Sequence, residues 1–169
     1  MGFRDRLQNL KDSVSQWADK AGEGSLDNKI EKNLTEMSSG TEIERTAAIK
    51  ALVIQAQTDE KWLDPIIDSF LRVLPDQMES PQEALIDGLM ELRKIKPNRA
   101  KEIFDGMQSA FDSPYPAVRS RVVDIWTTFS LKSKAENSDT IADLFEMLSD
   151  DDKDVRYQTQ ESLSKIMNT

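Results

Sequence analysis

The sequence contains no cysteine and no histidine. Those two absences exclude disulfides, thiolate nucleophiles, His-based acid–base chemistry and zinc sites of the usual kind. Long apolar runs are missing as well: none approaches a membrane span. No stretch alternates apolar and polar residues strand-fashion, so no strand is predicted. No glycine-rich phosphate loop is present. A basic excess is also lacking. The net charge of −9 argues against a general nucleic-acid binder, whose affinity rests on Lys and Arg neutralising phosphates. The N-terminus is charged from Arg4 onward and lacks the apolar core of a signal peptide. It opens Met1-Gly2, but Arg6 stands where a myristoylation signal needs Ser or Thr. These features make a cytoplasmic location the expectation.

What is present fits a folded, all-α chain. Hydrophobic residues make up 38% and charged residues 31% of 169 positions, enough for a real core under a wet surface. Residues 1–21 read as one amphipathic helix. Phe3, Leu7, Leu10, Val14, Trp17 and Ala21 alternate spacings of four and three and form one stripe. Gly22-Glu23-Gly24-Ser25 then forms a short joint.

Residues 22–169 alternate helical patterns with turns. Four helix pairs are predicted: 26–37 with 42–57, 61–74 with 81–95, 99–111 with 117–132, and 140–148 with 154–167. Pro75 ends one helix, and Ser80-Pro81 are expected to cap and open the next. The pairs repeat every 37 residues without insertion. Ile30, Ile67, Phe104 and Ile141 align in the first helices, as do Met37, Leu74, Phe111 and Leu148. Leu52, Leu89, Trp126 and Leu163 align in the second helices. Asn33 replaces Phe70, Met107 and Leu144 of its column. Thr159-Gln160 replace the apolar pairs Ala48-Ile49, Leu85-Ile86 and Val122-Val123. Both changes are those expected of end units with polar outer faces, so four units are read as the array.

Asp112-Ser113-Pro114-Tyr115-Pro116-Ala117-Val118-Arg119 and Asp150-Asp151-Asp152-Lys153-Asp154-Val155-Arg156 give each turn and the start of each second helix the same form. A turn rich in Asp and Pro followed by Val-Arg, within paired helices, resembles HEAT repeats over about residues 22–169. The resemblance implies a right-handed α-solenoid of four antiparallel helix pairs preceded by one amphipathic helix. It implies that Arg119 and Arg156 link turns of neighbouring units. The first unit keeps Arg45 but has Glu44 in place of Val. The second has Pro81-Gln82, which predicts a looser junction there. By the same resemblance the second helices line a concave face, with Arg45, Lys50, Glu83, Asp87, Ser120, Asp124, Tyr157 and Glu161 as candidates. It also admits a bilin-lyase-like activity, for which no residue here supplies the chemistry.

Candidate sites then sort by residue type. The Asp150–Asp154 run lacks the ligand spacing and mid-loop glycine of a calcium loop. Turn and helix N-terminal aspartates have a structural use, satisfying free N–H groups. No metal, cofactor or catalytic residue is predicted. Gly88 and Gly106 sit alone inside helices, which predicts close helix contacts. Arg93, Lys94, Lys96, Arg99 and Lys101 form a basic rim. Such a rim suits helix C-termini or a patch facing an anion. The N-terminal stripe, Phe3, Leu7, Leu10, Val14 and Trp17, has three open readings: docking on the array, pairing with a partner or a second copy, or lying on a membrane surface. The functional expectation is a non-enzymatic protein-binding scaffold using its concave face, its N-terminal helix or both. A peripheral membrane adaptor anchored by residues 1–21 is the alternative. No nucleic-acid partner is expected.

Overall fold

Helices form where apolar residues recur at spacings of three and four and stop where Gly, Pro or Asp interrupts them. The computed structural model describes residues 26–132 and 137–168, and the N-terminal segment lies outside the described residues. The described α-helices are α1 (Leu26–Ser39), α2 (Glu42–Thr58), α3 (Leu63–Val73), α4 (Glu79–Ile95), α5 (Ala100–Met107), α6 (Pro116–Lys132), α7 (Asn137–Glu146) and α8 (Lys153–Met167). Short 3-10 turns flank several of them, and no strand occurs among the described residues.

The helix ends have local causes. Thr41 caps α2: its side chain accepts from the Glu44 amide while the Glu44 carboxylate accepts from the Thr41 amide. That is a reciprocal capping box. Asp152 caps α8, accepting from the amides of Asp154 and Val155 at 2.8 and 3.2 Å. Pro75 sits in the 3-10 turn Leu74–Asp76 that follows α3. The start of α4 differs from the sequence expectation. Met78, not Ser80, occupies the cap position, and the helix begins at Glu79. Pro81 then falls in the first turn, where its missing N–H has no intrahelical acceptor to lose. The Ser80 hydroxyl instead donates to Glu42 Oε1 at 2.7 Å.

The chain divides into two compact lobes, one ending at Met107 and the other beginning at Gln108. In the first lobe α1 packs along α2, α2 along α4, and α3 and α5 against each other and against α4. Ile49, Leu52, Ile66, Ile67, Phe70, Leu85, Ile86 and Leu89 are fully buried there. Gly88 explains how α2 comes so near α4. A Cβ at that position would lie 2.8 Å from Val53 Cγ2 and 2.9 Å from Phe70 Cε2, inside ordinary contact distance. Gly106 gives the same room to Leu71 of α3. Both glycines therefore mark close helix contacts.

In the second lobe α6 packs along α8, and α7 contacts both. Val118, Val122, Val123, Leu144 and Val155 are fully buried. Trp126 stands edge-on to Phe111 with ring centroids 5.1 Å apart, and its Nε1 donates to Asp143 Oδ2 at 3.0 Å.

Burial follows the 37-residue columns except at Phe111, Ile141 and Leu148. Leu52, Leu89, Trp126 and Leu163 are all buried, and so are Ile30, Ile67 and Phe104. Met37 and Leu74 are fully buried, whereas Leu148 of the same column is 37% exposed and Ile141 only half-buried. Met147 is the buried neighbour instead. In the pair Thr159-Gln160, Thr159 is fully buried, its hydroxyl donating to the Val155 carbonyl at 2.8 Å, and Gln160 is exposed.

Candidate functional site

Arg119, at the start of α6, is almost fully buried, and so is Asp150. Its Nε and one terminal nitrogen grip both Asp150 oxygens at 2.7 and 2.8 Å, and that nitrogen also reaches Asp151 at 2.7 Å. The other terminal nitrogen donates to the Ser113 carbonyl at 2.7 Å. Burial pushes the Asp150 carboxyl up, but the Arg119 hydrogen bond and charge, together with the Asp152 amide, hold the group below its ordinary value. The hydrogen bond from Arg119 to Asp150 raises the guanidinium above its own. Arg156 donates to the Asp150 and Asp151 carbonyls. Arg45 bonds the Gly40 carbonyl at 2.7 Å and reaches Gln77 at 3.1 Å. Gln82 also serves its own turn, donating to the Leu74 carbonyl at 2.9 Å. All four residues of the column thus brace the turn before their helix. In the acidic run the Asp150 and Asp151 carboxylates hold Arg119, and the Asp152 carboxylate caps α8.

The basic rim is brought together, but its charges are answered locally. Arg99 reaches Asp64, Asp68 and Glu102. The hydrogen bond to Glu102 raises its pKa most, burial opposes, and Asp68 adds to the rise. Lys96 donates to Asp64 at 2.8 Å, and that bond holds the Asp64 carboxyl below its ordinary value. Lys94 pairs with Glu91 and Lys101 with Asp105. Arg93 lies over the Phe104 ring at 5.1 Å. Every member of the rim therefore has an acidic or aromatic neighbour.

The candidate concave-face residues are scattered in character. Lys50, Asp87 and Asp124 are exposed, and Glu83 is half-buried. Asp124 accepts from Gln158 at 2.6 Å. Tyr157 is 64% exposed and donates to Glu161 at 3.1 Å, which raises the phenol's pKa. Arg45 is half-buried in its turn. Phe3, Leu7, Leu10, Val14 and Trp17 lie outside the described residues.

Two apolar surfaces were not singled out from sequence. On α2, Ile43, Ala47, Lys50 and Ile54 form one stripe at spacings of four, three and four. Ile43 is 82% and Ile54 63% exposed. The matching residues of the other second helices are Ser80, Ala84, Asp87 and Glu91 on α4, Ala117, Arg121, Asp124 and Thr128 on α6, and Asp154, Gln158, Glu161 and Lys165 on α8. The second surface runs from Ile141 through Phe145 to Leu148, with Phe145 50% exposed. Comparing the 37-residue columns residue by residue would have exposed the first. The second needs the structure, because its columns are apolar except at Gln108.

No helix among the described residues is long and apolar enough to cross a membrane. Comparison with known proteins gave no match to a family model, a curated protein or a solved structure.

Proposed function

We propose that the chain is a four-unit HEAT-like α-solenoid that acts as a non-enzymatic protein-binding module. Its partner would contribute an amphipathic helix to the Ile141–Phe145–Leu148 stripe. One observation carries this reading. Phe145 stands in the column of Leu71 and Gln108. Leu71 packs on Gly106, and Gln108 Nε2 donates to Asp143 Oδ1 at 3.0 Å. In both cases the partner lies 35 residues further along, in the next first helix. Phe145 occupies the same register with half its surface open. Further contacts support a repeat: Arg45–Gln77, Arg99–Asp68, Arg119–Asp151 and Gln158–Asp124 join residues 31 to 34 apart.

A helix laid on that stripe would cover what remains open of Phe145 and Leu148, each contributing about half or less of the roughly 1.5–3 kcal/mol of a complete burial. Exposed Glu146 beside the stripe favours a partner helix flanked by Lys or Arg. The test is affinity purification with mass spectrometry on the full chain, followed by calorimetry with each purified candidate. A true partner should bind the wild type and lose at least about tenfold in affinity to Phe145→Asp, a loss of about 1.4 kcal/mol. Candidates indifferent to Phe145→Asp would sink the reading. Flotation of the full chain with lipid vesicles would favour the membrane adaptor instead.

A further inference from the structure

We infer that the exposed stripe on α2 is the seat of the chain's own N-terminal segment, with Phe3, Leu7, Leu10, Val14 and Trp17 turned onto Ile43, Ala47 and Ile54. The inference is independent of the α7 stripe and of any partner there.

The contrast among second helices is the first ground. Leu52, Ile49, Ala48 and Ala56 bury one side of α2, and Val53 meets Gly88 of α4. The remaining side is where α4, α6 and α8 carry Ser80, Asp87 and Glu91, Arg121, Asp124 and Thr128, and Asp154, Glu161 and Lys165. On α2 alone that side is apolar apart from Lys50. An Ile at 82% and another at 63% exposure on one helix face match an apolar stripe elsewhere better than they match water.

Placement of the tether is the second ground. Twenty-five residues precede α1, which begins at Leu26. Asn33 of α1 donates to Gln55 of α2 at 3.3 Å, so the start of α1 lies toward the end of α2 that carries Ile54. The joint Gly22–Ser25 spans at most about 14 Å, more than the roughly 10–12 Å diameter of a helix. As a helix, Phe3 to Ala21 is about 27 Å long and Ile43 to Ile54 about 16 Å. A helix of that length is long enough to cover the stripe. A short tether also holds it at high effective concentration over that face.

Charge is the third ground. Through residue 24, Arg4, Arg6, Lys11 and Lys20 are matched by Asp5, Asp12, Asp19 and Glu23. A neutral segment gains nothing from anionic lipid, whereas a largely uncharged helix face accepts it without an unpaired charge.

The absence of cysteine makes the test clean. Nitroxides are placed on the full chain at Ser13→Cys, beside the stripe, and at Lys50→Cys. Dipolar spectroscopy then reads the distance between them. Docking predicts one narrow distance, under about 25 Å for two packed helices. It should persist when labelled chains are diluted with unlabelled chains. Adding Ile54→Asp or Leu10→Asp should broaden it at unchanged helix content, since Ile54 is already exposed. A broad distribution in the parent overturns the inference. So does a distance that disappears on dilution, which assigns the face to a second copy. A narrow distance that survives both charge substitutions overturns it as well, and so does one that forms only with vesicles of anionic lipid.

Discussion

Two arginines make the same kind of link and do so in different surroundings. Arg119 reaches Asp150 across 31 residues, and Arg99 reaches Asp68 across 31. Around Arg119 both partners are hidden, at 8% and 4% side-chain exposure. Around Arg99 the guanidinium is mostly covered, but Asp64, Asp68 and Glu102 remain 39–57% exposed. Water can replace any one of those carboxylates. It cannot readily replace Asp150. The first arrangement fixes a unique turn geometry, and the second distributes one charge over several exchangeable neighbours.

The largest expected effect follows from removing the hidden carboxylate. Asp150→Ala removes the buried partner of Arg119 and leaves it the Ser113 carbonyl and the exposed Asp151 carboxylate, a loss approaching the roughly 3–5 kcal/mol of a broken buried pair. Urea denaturation should show it as a lowered midpoint with an unchanged slope. Asp68→Ala should lose under about 1 kcal/mol, because its pair is exposed and Arg99 keeps two other partners. Equal losses in the two variants would erase the distinction.

Acid gives an intermediate effect. The folded-state pKa of Asp150 is held below its ordinary value, so its contribution is complete above about pH 4, the unfolded value. It is lost as pH falls through the lower folded value. Denaturation midpoints followed from pH 6 into the acid range should fall more steeply for the wild type than for Asp150→Asn. Parallel curves would assign the acid sensitivity elsewhere.

Salt should produce the smallest change and the opposite ranking. Raising ionic strength from 0.1 to 1 M shortens the screening length from about 10 to 3 Å. Exposed pairs weaken and buried pairs hardly respond. A double-mutant cycle on Arg99–Asp68 should lose most of its coupling in 1 M salt, and a cycle on Arg119–Asp150 should keep most of its own.

The same contrast explains what was legible in the sequence. Helix positions were readable because Gly40, Pro75, Pro97 and the Asp-rich turns interrupt clear periodicities. The Arg119 link was legible only as what the resemblance of its turn to HEAT repeats implies. The ion pairs of the basic rim were not. Clustering of Lys and Arg at 93–101 is a local signal, while Asp64 and Asp68 arrive from about thirty residues earlier through packing of α5 on α3. The α2 stripe was missed for another reason. It is legible only position by position, where Ser80, Ala117 and Asp154 stand in the column of Ile43 and Glu91, Thr128 and Lys165 in that of Ile54, and the structure shows Ile54 largely open beside fully hidden Leu52. At Leu148 the column alone predicted burial, but burial also needs a neighbour on that side.

Gly88 has a consequence for motion. Val53 and Phe70 both press on the space where its side chain would be, so α2, α3 and α4 meet at one point with no spare volume. None of the three can swing outward without opening a void at the others. The first lobe should accordingly fluctuate as one cooperative block around that point, and any looseness it has belongs to its periphery, at the ends of α1 and α5.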